Sequence, residues 1–251
     1  MSLFDATNPF ARLSLEAADT DVVIVINDPT VSASTADDTL SGSDDDDIIR
    51  GLDGWDRIVG GEDDDILYGN AGLDTLSGGE DEDTLFGGQG DDMLSGGAGD
   101  DVLYGGANSD SGFVVKDGVS VFLDGRETIA GGDGDDLIYG NQGADSLIGG
   151  DDEDTLFGGQ GDDTLAGGLD RDTLYGGAGS DRFVYSSVDE GTDVIQDFDI
   201  TADQILVAEG VTVRSRFQFT DSASLTLSSG SNITLVGVTD VDAVGVASGG
   251  F

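Results

Sequence analysis

The chain has 251 residues, and 9 basic against 53 acidic residues give it a formal net charge of −44. That balance excludes nucleic acid as a natural partner, because a phosphate backbone would be repelled. Cysteine and histidine are both absent. This removes disulfides, thiolate metal sites, catalytic triads and the commonest general base.

Residues 1–36 carry no basic segment followed by a long apolar core, so they do not read as a cleavable signal peptide. The apolar run at residues 22–26 is too short to cross a membrane, and no transmembrane segment is expected. It reads as a buried strand with Phe4, Phe10, Leu13 and Leu15 around it, a cap over the open first coil of a solenoid. The alternative is a strand lent to another subunit.

Residues 37–184 repeat every nine positions: two glycines, a free position, a small residue, a free position, an acid, then a strand-like triplet centred on an aliphatic. A fixed short period of this kind sets the architecture before propensity is consulted. The acid phase runs through Asp38, Asp47, Asp56, Asp65, Asp74, Asp83, Asp92, Asp101 and Asp110, then Glu127, Asp136, Asp145, Asp154, Asp163, Asp172 and Asp181. Two residues after most of these stands Leu or Ile, from Leu40 to Leu174, and finally Phe183. The glycines permit positive φ and close backbone approach, so each half-coil turns tightly and aims its carbonyls inward. The carbonyls expected to serve as ligands belong to Gly61, Gly79, Gly88, Gly90, Gly97, Gly99, Gly132, Gly134, Gly150, Gly159, Gly161, Gly168, Gly177 and Gly179. Two nonapeptides make a coil of 18 residues, which stacks the carboxylates along the edges at about the 4.8 Å strand spacing. Stacked carboxylates repel unless a cation lies between them. With carboxylate and carbonyl oxygens as the donors, and no nitrogen or sulfur, the cation should be hard, and extracellular Ca²⁺ fits best.

An off-pattern insert at residues 114–121 separates blocks 37–113 and 122–184. The run FVVKDGVSVFL predicts a small hairpin around Asp117-Gly118. The irregular stretch extends to Ala130, one residue short of a coil, and is expected to take the place of one, so that the second block resumes on the same faces. That block copies the first, GNQGADSLIGGDDEDTLFGGQGDDTLAGG repeating GNAGLDTLSGGEDEDTLFGGQGDDMLSGG. At the outward ninth position Tyr68, Phe86, Tyr104, Tyr139, Phe157 and Tyr175 should share one sheet. They form either an apolar contact face or a cross-strand stabiliser.

GGAGDDVLY and its neighbours resemble GGxGxDxUx, the nonapeptide of the RTX (repeats-in-toxin) calcium-binding proteins. The resemblance implies an all-β fold, a right-handed parallel β-roll with small β caps at both ends. It also implies Ca²⁺ bridging turns on one edge, from Asp38 with Asp56 to Asp92 with Asp110 and from Glu127 with Asp145 to Asp163 with Asp181, about a dozen ions. Residues 185–251 resemble the family's closing segment, with Asp193-Val194-Ile195-Gln196-Asp197-Phe198 packing over the last coil and a terminal type I secretion signal. Val211, Val213, Phe217 and Phe219 alternate with polar residues and predict a half-buried strand, and Leu225 and Leu227 should pair with Ile233 and Leu235.

These readings converge on a secreted, extracellular or cell-surface calcium-binding structural protein that folds on Ca²⁺ and associates with itself. It is not expected to be an enzyme, since family enzymes place catalysis in a separate domain. One alternative is an adhesin recognising a glycan, such as cell-surface polysaccharide. The other is a secretion and folding module without its effector.

Overall fold

The computed structural model describes residues 23–25, 31–33, 35–107, 112–116, 119–123, 126–186 and 191–249. Alternate nonapeptides feed alternate sheets. One sheet has 11 strands, all parallel: Val23–Val25, Thr39–Ser41, Arg57–Gly61, Thr75–Glu80, Met93–Ala98, Thr128–Asp133, Ser146–Asp151, Thr164–Gly168, Arg182–Tyr185, Gln204–Ala208 and Val246–Gly249. The other has 12 and holds the aromatic residues: Val31–Ser32, Ile48–Asp53, Ile66–Ala71, Thr84–Gln89, Val102–Ala107, Leu137–Gln142, Thr155–Gln160, Thr173–Ala178, Thr192–Ile195, Asn232–Val236, Ser222–Leu227 and Val213–Gln218. Its last three strands are antiparallel. This is the expected parallel β-roll, and among the described residues there is no α-helix.

The core is one side chain wide. Because side chains alternate across a strand, the middle residue of each triplet points between the sheets. Leu40, Ile49, Ile58, Leu67, Leu85 and Leu103 have no solvent exposure, and Ile129 to Leu165 continue the file. The neighbouring triplet residues point out on the two flat faces.

Several expectations need correction or fall outside the described residues. The insert does not replace a coil. Gly112–Lys116 and Val119–Leu123 pair with each other in a separate two-stranded antiparallel sheet. Strand Val102–Ala107 then pairs directly with Leu137–Gln142 and Met93–Ala98 with Thr128–Asp133, at an offset of 35 residues instead of 18. Two strands joined by a two-residue turn must run antiparallel, so they cannot join a parallel stack and are looped out. The hairpin is thus present where FVVKDGVSVFL predicts it, though its turn at Asp117-Gly118 lies outside the described residues, as do Asp110 and most of the expected N-terminal cap.

In the C-terminal segment Leu225 pairs with Ile233 as expected, but Leu235 faces Ala223 rather than Leu227. Strand Val213–Gln218 keeps Val213 against the core as expected but inverts its faces beyond that residue. A register shift between Val213 and Ser215 moves the alternation by one, as a bulge does. Phe217 and Phe219 consequently turn to solvent, 58% and 57% exposed. Arg216 turns inward and donates to the carbonyls of Val241 and Val244 at 2.7 and 3.1 Å.

Candidate metal centre

The periodic acids form two internal rows, one inside each edge of the roll. Asp38, Asp56, Asp74, Asp92, Glu127, Asp145, Asp163 and Asp181 follow one edge, and Asp47, Asp65, Asp83, Asp101, Asp136, Asp154 and Asp172 the other. All are buried, from 0 to 4% exposed. Main-chain bonds bind each row into a ladder. The amide of one acid donates to Oδ1 of the acid one coil on, as from Asp38 to Asp56, Asp56 to Asp74 and Asp83 to Asp101, each at 2.8 Å. Across the hairpin the ladder continues from Asp101 to Asp136 at 2.8 Å, and it resumes from Glu127 to Asp145 at 2.9 Å. The partner of Asp92 one coil on is therefore Glu127, since Met93 pairs with Thr128, and not Asp110.

Oδ1 is thus spent on structure, and the second oxygen is the one left over. For Asp56, Asp65, Asp74, Asp83, Asp92, Asp101, Asp136, Asp154, Asp163 and Asp181 it is shut from solvent with no hydrogen-bond partner. It lies inside the turn, against the first glycine of its own repeat. A Cβ on Gly60 would collide with Asp65 Oδ2 and come within 2.7 Å of the Gly78 carbonyl, one coil on. A side chain at this glycine would fill the space that the oxygens enclose.

All the glycines expected to present carbonyls have positive φ, from 98° at Gly177 to 148° at Gly79. Each stacks on a main-chain carbonyl of the coil before it. Gly79 shows why the position is restricted: a Cβ there would strike the Gly61 carbonyl, besides adopting a conformation that L-residues avoid. Leu52, Asn70 and Asn141 keep positive φ in place of glycine, at 83°, 80° and 80°. Among the described residues no three acidic side chains converge on one point. Each edge therefore offers one enclosed carboxylate oxygen per coil together with main-chain carbonyls.

Burial dominates the electrostatics. It raises the carboxyl pKa to about 6 at Asp65, Asp74 and Asp181, to about 7 at Asp56, Asp83, Asp101, Asp136 and Asp163, and to about 8 at Asp92 and Asp154. The amide bond to Oδ1 opposes the shift in each case. Glu127 is pushed up by burial and then by its hydrogen bond with Asp145.

Two further acids extend the rows past the last nonapeptide. Asp193 accepts from the Asp172 amide at 3.1 Å, and Asp203 accepts from the Asp181 amide at 3.0 Å. Sequence reading passed over them because the nine-residue period had ended. A local signal remained, since Asp193 and Asp203 each precede a buried isoleucine, Ile195 and Ile205, by two residues.

The six aromatics share one face as expected, and their rings stack with centroids 4.5–5.1 Å apart and planes within 9°. The Arg50 guanidinium lies 4.7 Å from the Tyr68 ring centre at one end. The ladder is continuous across the hairpin, so it occupies six strands without the extra coil. No helix among the described residues is long and apolar enough to cross a membrane, which does not bear on β-barrels.

A family model for the RTX calcium-binding nonapeptide repeat (four copies) matches residues 32–67, 50–85, 59–94, 77–111, 123–156 and 148–183. Among curated proteins no sequence matches. Among solved structures the extracellular lipase LipA from Serratia marcescens is similar, with a TM-score of 0.41 and 21% identity over 84% of this chain and 40% of the lipase. The chain thus spans about two fifths of that protein's length. The family matches cover more than half of the 251 residues and both blocks of the roll, and the chain belongs to the RTX calcium-binding nonapeptide-repeat family.

Proposed function

We propose that the protein is an extracellular structural protein whose β-roll is completed by calcium. The observation that carries this reading is the row of enclosed carboxylate oxygens that no donor meets. An ionised oxygen withdrawn from water without a partner costs several kcal/mol, on the order of a whole domain's margin of stability. A proton or a cation must therefore neutralise it. The oxygen-only donor set selects a hard cation. The ligands would be the enclosed oxygens of the periodic acids from Asp56 to Asp181 and the carbonyls of the positive-φ glycines, for on the order of ten ions per chain. Calcium would supply there the positive charge that joins one coil to the next, and its binding free energy would become folding free energy. Sites of this type hold calcium at about 10⁻⁴–10⁻³ M, which places folding outside the cell. The test is circular dichroism in chelator and in millimolar calcium. A coil-like spectrum that becomes a β spectrum is expected, and a β spectrum indifferent to chelator would overturn the reading.

A finer reading, association between copies, is favoured by where the charge lies. Among the described residues the outward triplet positions of the two sheets hold no acid. The aromatic sheet presents Ile66, Tyr68, Phe86, Val102, Tyr104 and their neighbours, and the opposite sheet presents Thr75, Ser77, Ser95, Ala130 and Thr164 with Arg57 and Arg182. On one edge the turn tips 44–46, 62–64, 80–82, 98–100, 133–135, 151–153 and 169–171 hold sixteen acidic residues. On the other edge tips 35–37, 53–55, 71–73, 89–91, 142–144, 160–162 and 178–180 hold four. Copies of so acidic a chain can approach each other by their faces far more readily than by the acidic edge. Glycan recognition by the ladder gains less support, because the rings cover one another's faces and leave no flat platform for a sugar.

A further inference from the structure

Each row of enclosed oxygens ends where the chain itself supplies donors. Asp47 stands near the start of its row. Its Oδ2 accepts from the Ser43 amide at 2.8 Å and from the Ser43 hydroxyl at 2.9 Å. Asp65, the next acid on that edge, uses Oδ1 in the ordinary way, accepting the Asp47 amide at 2.8 Å, but its Oδ2 meets no donor. The far end of the other row repeats the arrangement with different parts. Asp203 accepts the Asp181 amide on Oδ1 at 3.0 Å and the Asp199 amide on Oδ2 at 2.8 Å.

The cause at Asp47 is a backbone conformation, not the mere loss of a glycine. The equivalent of Ser43 one coil on is Gly61, with φ +146°. Leu52 and Asn70 also replace glycine at this position yet keep positive φ, and Asp56 and Asp74 in their repeats retain a donorless oxygen. Ser43 does not adopt positive φ, and its N–H faces the carboxylate.

We infer that Asp47 and Asp203 are terminators of the rows and not cation ligands, so that metal binding is confined to the coils between them. The inference rests on the calcium reading above and concerns how far along the chain it extends. An amide N–H offers a positive hydrogen where a cation would have to sit, and unlike a hydroxyl it cannot turn round to offer a lone pair. The number of ions is then set by where these donors stand, and it is smaller than the number of periodic acids.

Calcium is counted by equilibrium dialysis at saturating concentration in the full chain and three variants. Asp65→Asn should lose at least one ion per chain. Asp47→Asn should bind as many as the parent, with a calcium midpoint within about twofold of it. Ser43→Gly should gain one ion, because the repeat regains the glycine found elsewhere at that position. Loss of an ion in Asp47→Asn, or an unchanged count in Ser43→Gly, would overturn the inference. The Ser43→Gly count decides the matter should Asp65→Asn fail to fold. A parent chain that binds no calcium would instead overturn the calcium reading itself.

Discussion

Asp92 and Asp154 have their carboxyl pKa values pushed to about 8, and Asp65, Asp74 and Asp181 theirs to about 6, from 3.8, chiefly by burial. A carboxyl raised in the folded state holds a proton that the unfolded chain releases. Its contribution to the metal-free fold is therefore complete below pH 3.8 and is lost as pH rises through 6 to 8. Calcium must displace those protons, so the two ligands compete for the same oxygens. We predict that the calcium midpoint for folding moves to higher concentration as pH falls from about 8 to 6, by roughly tenfold or more, because several such groups titrate together. A midpoint constant across that range, followed by circular dichroism, would mean that the enclosed acids are not the ligands.

At the scale of the element, the aromatic ladder behaves as part of the sheet. Phe86 lies between Tyr68 and Tyr104, with ring centres 4.9 and 4.8 Å away, and Phe157 lies between Tyr139 and Tyr175. Each ring is half-buried by its neighbours, so it retains less free surface for a partner than an outward position alone suggests. Removing one ring deletes two stacked contacts, about 1–3 kcal/mol in all. The double variant Phe86→Ser, Phe157→Ser should therefore fold in calcium with a lower Tm and a higher calcium midpoint. If the aromatic face also joins copies, the same variant should lose its large species in sedimentation. An unchanged Tm would remove the ladder from the stability of the roll, and unchanged sedimentation would move the contact to another surface. The looped-out hairpin makes the complementary point. It interrupts the sequence without interrupting either sheet, because parallel pairing depends on the register of Val102 with Leu137 and not on the length between them.

For the whole molecule, charge partition and termini govern behaviour. About ten calcium ions would offset roughly twenty of the negative charges, and much of what remains lies on the turn tips of one edge. If copies associate through the faces, association should require calcium and should strengthen as monovalent salt is raised, since screening weakens repulsion between like-charged copies. Sedimentation in calcium at low and high salt checks this, and weakening by salt would point to ion pairing across the contact. The C-terminal segment cannot be treated as a detachable signal. Asn232–Val236 and Val246–Gly249 are strands of the two sheets, and Ile233 and Leu235 are fully buried. Deleting residues 232–251 would remove fold as well as any export signal.

The repeat phase by itself determined the coil, the inward file from Leu40 to Phe183, the alternation of the acids between two edges and the shared face of the aromatics within each block. It could do so because a period of nine fixes side-chain direction and edge together: two repeats close a coil, and every coil then inherits the same faces. Tertiary structure decided what happens where the period fails. Which strand follows Val102–Ala107, which acid follows Asp92, and which way Phe217 points depend on pairing between residues far apart and on a bulge, none of which leaves a periodic trace. The occupancy of a carboxylate's second oxygen is of the same kind. Ser43 and Asp199 satisfy it through backbone direction, and backbone direction at a single residue is set by the coil around it.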